Sequence, residues 1–227
     1  NKIYSFPKIN IYPGDDPPKF IKKKNLIIST PLVNNNIFIK NNKKKGSKNI
    51  QILMIGNNKS TFVIDGLFDF SKNLIDIFDT LQAKNKIKIN IVGKFLPPKK
   101  ILKQINFEWI KFLGWVKNID KFYEKSYFLL APNRISIGVR TKILDAMRHG
   151  LPVLTYHSSD FKNSGFINNK NILMAKDSNE MKKNIKKIIN DNILAHTISK
   201  NSKLLFEKRY NNKNNIKKTL NKVFKIL

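Results

Sequence analysis

The chain contains no cysteine, so no disulfide braces it and no thiolate holds a metal, a composition that suits a reducing compartment. Acidic residues are scarce: 15 Asp and Glu stand against 44 Lys and Arg, for a formal charge of +29. Arginine is scarcer still, with four against 40 lysines. No run approaches the ~18 apolar residues of a membrane span, and no basic-then-apolar leader opens the chain. The first residue is Asn, which leads us to expect a fragment or a processed form.

What is there is a 227-residue chain that is 41% hydrophobic. It is long enough to bury a core and too apolar for a disordered polycation. Lys, Asn and Ile supply 104 residues, a bias that an AT-rich genome produces through its codons without selection for a partner. The charge is uneven, with +9 over residues 1–49, +8 over 50–161 and +12 over 162–227, so the chemistry is expected in the central stretch. A nucleic-acid-binding domain would want aromatics interleaved with basic residues on one surface, or a reading motif. Neither is evident.

Residues 1–24 hold Pro7, Pro13, Pro17 and Pro18 and read as irregular chain, followed by a short strand at 25–30. Residues 34–49 are almost wholly Asn, Lys, Gly and Ser and suit a linker. From residue 50 the pattern becomes orderly. Apolar runs at 51–55, 87–92, 110–113, 127–131, 152–155 and 172–174 predict strands. Helical spacing predicts helices near 64–83, 98–105, 118–125, 141–149, 178–190, 193–209 and 213–226. Alternating strands and helices predict an α/β, Rossmann-like parallel sheet with helices on both faces. In such sheets ligands bind beyond the carboxyl ends of the strands, and Gly56, Gly93 and Gly114 sit at three of those ends. The apolar stripes of the tail, Met181, Ile185, Ile188 and Ile189 in one helix and Ile216, Leu220, Val223, Phe224 and Leu227 in the last, suit packing on the sheet. Peripheral contact with anionic lipid is the alternative for these basic helices.

Three of the four arginines, Arg134, Arg140 and Arg148, fall within residues 131–154. The planar guanidinium fork suits phosphate and carboxylate in a way that lysine does not reproduce. A loop, Ser136-Ile-Gly138, leads into a helix starting near Thr141, and a helix start presents amide donors and a positive dipole end to an anion. Arg134 before the loop and Lys142 in the first turn would add full charges. Asp145, one turn further in, suits either a ribose diol or the dipole of an early helical turn. The three histidines show no ligand spacing, and no Asp-x-Asp motif is present.

Residues 143–153, Ile-Leu-Asp-Ala-Met-Arg-His-Gly-Leu-Pro-Val, resemble the donor-binding motif of family four glycosyltransferases, retaining enzymes of the GT-B architecture. The common form of that helix is Leu-Glu-Ala-Met-Ala-x-Gly-x-Pro-Val. One branch also carries Pro-x-Arg-x-x-x-Gly-x-x-x-Lys ahead of it, matched here by Pro132, Arg134, Gly138 and Lys142. Phe112-Leu-Gly-Trp-Val116, Ile55-Gly56 and Ile91-Val92-Gly93 resemble the family's preceding strand ends. The resemblance covers roughly residues 50–210.

It implies a carboxy-terminal, donor-binding half spanning 50–227. Residues 1–33 would be the tail of an acceptor domain and 34–49 the crossing between the two. It implies that Gly56, Arg134, Gly138, Thr141, Lys142 and Ile143 hold the diphosphate of a nucleotide-diphosphate sugar, that Asp145 binds the ribose, and that Gly93 and Gly114 border the nucleotide. The donor is a substrate, with no further cofactor and no metal. The acceptor would be a glycan or a lipid-linked sugar in cell-surface polysaccharide synthesis, at the cytoplasmic side of a membrane. Two departures stand out. Asp145 replaces a glutamate, and Ile137 replaces the family's other glutamate, which seven residues separate from it. Asn57 and Asn58 also follow Gly56 in place of the usual basic pair, with Lys59 next. No general base is identified. Sugar-nucleotide epimerases share the architecture, and a copy that only binds nucleotide is the other reading.

Overall fold

The computed structural model describes residues 10–13, 26–29, 49–83, 85–135, 141–210 and 220–221. Six parallel strands form one sheet in the order β5-β4-β3-β6-β7-β8. They are β3 (Asn49–Ile55), β4 (Lys86–Val92), β5 (Ile110–Gly114), β6 (Phe128–Ala131), β7 (Val153–Tyr156) and β8 (Leu173–Ala175). The order steps outward from β3 in one direction and, after β5, restarts on its other side at β6. The reversal between β3 and β6 creates the crevice at which such sheets bind ligands.

The helices that link the strands are α1 (Thr61–Asp69), α2 (Ile75–Gln82), α3 (Lys99–Gln104), α4 (Asp120–Lys125) and α5 (Thr141–Arg148), and α6 (Ser178–Asn190) and α7 (Asn192–Leu205) follow the last strand. A wide π turn, Phe70–Leu74, joins α1 to α2, so the single helix expected at 64–83 is one helical rod with an irregular middle. A second π turn, Phe206–Tyr210, extends α7. Most of the helix expected at 213–226 lies outside the described residues, as do the loop at 136–140 and the linker at 34–48. Among the described residues no helix is long and apolar enough to cross a membrane.

The lead-in differs from expectation. Asn10–Pro13 forms a strand, β1, paired in parallel with β2 (Leu26–Ser29). The proline-rich composition concealed β1, whose four residues carry too short a pattern to read without their partner.

Two apolar layers cover the sheet. One packs α1, the π turn, α2 and α6 on it through Leu67, Phe70, Leu74, Phe78, Met181, Ile185 and Ile188. The other packs α5 and the 206–210 turn through Ile143, Leu144, Met147, Phe206 and Tyr210. The stripe Met181, Ile185, Ile188 and Ile189 therefore belongs to the core. Each such side chain contributes about 1.5–3 kcal/mol on burial, which outweighs any use of this face on a lipid surface. In the other stripe, Leu220 is exposed and the remaining members lie outside the described residues. Gly150 ends α5 with φ +62°, the left-handed cap expected there.

The glycines at the strand ends are required for different reasons. A Cβ on Gly93 would lie 1.6 Å from the carbonyl oxygen of Gly56, so the ends of β3 and β4 touch backbone to backbone. A Cβ on Gly56 would lie 2.4 Å from Val63 Cγ2 on α1. Gly114 has φ +64° with open space around it. Gly93→Ala is therefore expected to lower stability by about 3 kcal/mol or more. Gly114→Asn is expected to cost less than about 1 kcal/mol, because Asn tolerates the left-handed region. Denaturant midpoints of the two variants test this, and equal losses would contradict it.

Candidate functional site

The carboxyl ends of β3, β4 and β5 are tied in steps. Gly56 N–H donates to the Val92 carbonyl at 3.0 Å, and Gly93 N–H donates to the Gly114 carbonyl at 3.0 Å. Gly56, Gly93 and Gly114 thus form one rim, as the sequence implied. Asn58 is folded inward over it. Its N–H donates to the Lys94 carbonyl and its Nδ2 to the Phe95 carbonyl. Its Oδ1 is buried with no hydrogen-bond partner among the described residues. Lys59, the candidate replacement for the missing basic pair, places its Nζ 4.1 Å from the centre of the Phe95 ring.

Lys142 brings the start of α5 to this rim. Its Nζ donates to the Ile55 carbonyl and to Asn133 Oδ1, both at 3.0 Å. Ile55 is the last residue of β3, so the ammonium sits beside Gly56. Asn133 also donates from Nδ2 to the Phe62 carbonyl, which fixes its Oδ1 toward Lys142. Ile55, Gly56, Asn58, Val63, Asn133 and Lys142 line a single depression. Thr141 is exposed at the start of α5, and Ile143 is fully buried beneath it. Gly138 and Ile137 lie outside the described residues.

Arg134 is held elsewhere. Its Nη2 lies 3.1 Å from Asp69 Oδ1 and donates to Ser178 Oγ at 2.6 Å and to Tyr156 Oη at 3.3 Å. Its guanidinium also stacks 4.2 Å from the Tyr156 ring centre, and its backbone N–H donates to Asp65. Asp69 is nearly fully buried and also accepts from Tyr156 Oη at 2.5 Å and from Asn73. Burial, and then the bond to Asp69, push the Tyr156 hydroxyl's pKa well up, so it stays a donor. The network joins α1, β7, α6 and the loop entering α5.

Asp145 lies one turn into α5 with its side chain 28% exposed. Burial pushes its carboxyl up to about 6, against the pull of Arg148 and with a smaller push from Asp120. Arg148 Nε is 3.7 Å from Asp145 Oδ1, and Arg148 Nη2 donates to Asp120 Oδ1 at 2.7 Å. His149 Nε2 is 2.9 Å from the same Asp120 oxygen. Burial and then Arg148 hold the imidazole below its ordinary value. The neutral ring therefore donates through Nε2, which leaves Nδ1 buried without a hydrogen-bond partner among the described residues. Burial alone would raise the Asp120 carboxyl, but the bonds from His149 and Arg148 outweigh it and leave it lowered.

The sequence signalled Lys142, Asp145 and the glycines by position. It gave no signal for Asn58, Asn133, Asp69 or Asp120 as partners, because each meets its counterpart only through the fold.

Residues 47–191 match the family described as glycosyl transferases group 1. The comparison with curated proteins gives no match. Among solved structures, TarM of S. aureus, in complex with fondaparinux, alpha-GlcNAc-glycerol and UDP, superposes with a TM-score of 0.69 at 19% identity over 87% of this chain and 39% of that one. HepE of Anabaena in complex with UDP-glucose gives 0.67 at 14% identity over 90% and 58%. The C-terminal domain of the group 1 glycosyl transferase LpcC of Francisella tularensis gives 0.56 at 18% identity over 72% and 86%. These likenesses show a shared fold. The chain spans between about two fifths and three fifths of the length of TarM and HepE.

A raised carboxyl has a consequence for stability. Folded Asp145 holds its proton up to about pH 6, whereas unfolded Asp loses it near ~4, so its contribution falls as pH rises through that window. Asp145→Asn is expected to stabilise the chain at pH 7.5, by on the order of 1–3 kcal/mol. The gain should vanish as pH falls toward ~4. Thermal unfolding across pH measures it, and a pH-independent effect would contradict the assignment.

Proposed function

Given that the chain belongs to the glycosyl transferases group 1 family, we propose that residues 50–227 are the donor-binding half of a retaining hexosyltransferase. It would move a sugar from a nucleotide-diphosphate sugar to a glycan or lipid-linked acceptor. The observation that carries this reading is the placement of the Lys142 ammonium and the start of α5 beside Gly56, at the carboxyl end of β3 next to the crevice. When the glycosidic bond breaks, negative charge grows on the departing diphosphate, and fixed donors aimed at that charge lower the barrier. In this reading the amides of the first turn of α5, at Thr141 to Ile143, and those about Gly138 hold the diphosphate. Lys142 neutralises it, with Arg134 on the flank, so the chemistry requires no metal.

Gly56 and Gly93 leave the rim free of side chains, Gly114 lets the chain after β5 turn beside the nucleotide, and Asp145 accepts hydrogen bonds from the ribose diol. TarM and HepE have been solved with UDP or UDP-glucose, which favours a uridine donor. Residues 1–33 would be the tail of an acceptor half, with 34–49 as the crossing. Synthesis of a surface polysaccharide at the cytoplasmic face of a membrane suits such a donor. A domain that binds nucleotide sugar without transferring it is the alternative, favoured by the shorter Asp145.

Thermal shift with UDP-, GDP- and ADP-glucose tests the donor site. One of the three should raise the melting temperature. Lys142→Met should weaken that ligand about tenfold or more, as loss of a charge-assisted contact does. No shift with any of them would sink the reading. Release of nucleoside diphosphate by a two-domain form would separate transfer from binding alone.

A further inference from the structure

Arg148 has a side chain only 3% exposed, and a buried guanidinium persists only where carboxylates meet it. Two do, from different helices. Asp120 opens α4, which follows β5 and Gly114, and Asp145 lies on α5 one turn before Arg148. The short contact, 2.7 Å, goes to Asp120 and the longer, 3.7 Å, to Asp145. Arg148 stands where the helix motif quoted above carries Ala.

We propose that Arg148, braced by Asp120, is a positioning residue for Asp145 that holds this carboxylate for the donor ribose and locks α4 to α5. The proposal rests on the donor-binding reading of Asp145. Because Asp120 takes the short bond, Asp145 is attracted to the guanidinium without being consumed by it, and its lone pairs remain open to a diol. Two contacts beside this pair make the α4–α5 link rigid. The Tyr123 ring stacks on His149 with centres 5.1 Å apart, and Tyr123 Oη donates to the Lys142 carbonyl at 3.4 Å. The rim at Gly114 and the first turn of α5 are thereby braced against each other.

The charged and titratable groups that bear on Asp145 are Arg148 on its own helix, which lowers its proton affinity, and Asp120 on α4, which raises it. Tyr123 on α4 feels the Asp145 charge in return, and burial raises its hydroxyl well above its usual range. His149 faces Asp120. On α7 and the 206–210 turn, which also pack on α5, Lys203 lies near Gly150, and Arg209 and Tyr210 bond to the carbonyls of Asn163 and Ser164. With Arg148 removed, the attraction that offsets burial is lost and Asp145 takes up a proton more readily. With Asp120 neutralised, the repulsion is lost and Asp145 gives its proton up more readily. The two changes act in opposite directions, which a purely structural role for the pair would not produce.

The test is calorimetric binding of UDP-glucose, or of whichever of GDP-glucose and ADP-glucose binds in its place, to the full chain from pH 5 to 8.5. The diphosphate diester of these probes does not titrate in that range. Binding should hold above about pH 6 and weaken below it. Arg148→Met should move the midpoint up by about one pH unit, and Asp120→Asn should move it down by about half a unit. An asparagine at 120 still accepts from Arg148 and His149. Asp145→Asn should bind about tenfold more weakly, without the midpoint. If Arg148→Met does not fold, the downward movement in Asp120→Asn decides alone. Wild-type midpoints in both variants would overturn the proposal while leaving the donor reading intact. Absence of binding by the wild-type chain would overturn both.

Discussion

The ends of β3 and β4 approach so closely that the Gly56 carbonyl fills the place where residue 93 would carry a side chain. Everything at the rim follows from that lack of space. The chain leaving β3 must turn away at once, and it does so through Asn58, whose amide groups bond to the carbonyls of the segment leaving β4. Val63 of α1 then sits directly over Gly56. The result is a strip of closely packed backbone at the crevice, from which no Cβ can rise. Lys142 completes the strip by capping the last carbonyl of β3 from the other side of the crevice.

Three polar clusters surround this strip, and they divide the work. The Lys142 cluster lies against the strip itself. The Asp69 cluster collects donors from Arg134, Tyr156, Ser178 and Asn73 and fixes the approach to α5. The Asp120 cluster fixes the far end of the same helix. In the donor-binding reading, the start of α5 would act best if it did not have to reorganise as charge moves. The helix α5 is fastened at its entry, in its first turn and at its last turn. Two of the three fastenings are ion pairs with one partner buried, Asp69 in one and Arg148 in the other, and a buried charge left without its partner is strongly destabilising.

Much of the fold was legible in the sequence. Continuous apolar runs such as Ile-Leu-Met-Ile at 52–55 and Phe-Leu-Leu at 128–130 mark strands covered on both faces, and β3 and β6 proved central. The three-to-four spacing of Leu67, Phe70, Leu74, Phe78 and Leu81 marked a buried helical face, although it hid the π turn within it, since a single wide turn leaves the spacing almost unchanged. The candidate site was legible where backbone geometry demanded a residue type, as at Gly56 and Gly93. It was not legible where a side chain chose its partner. Arg134 reads as a free cation before a loop, and only packing reveals Asp69, 65 residues earlier, as its counter-charge. Arg148 and His149 likewise meet Asp120 across 28 and 29 residues. Such pairings are written in no local pattern.

The arginines carry a further implication. This chain uses lysine for nearly all of its positive charge, yet each arginine in the described segments is tied down. Arg134 and Arg148 hold carboxylates, and Arg209 holds the Asn163 carbonyl. The ammonium of lysine offers charge without the flat, forked set of donors, which Arg134 uses when both Nε and Nη2 meet Asp69. In a sequence so biased toward lysine, an arginine that persists is a record of shape rather than of charge. Exchanging Arg134 for Lys, commonly the mildest of substitutions, would give up the paired contact with Asp69.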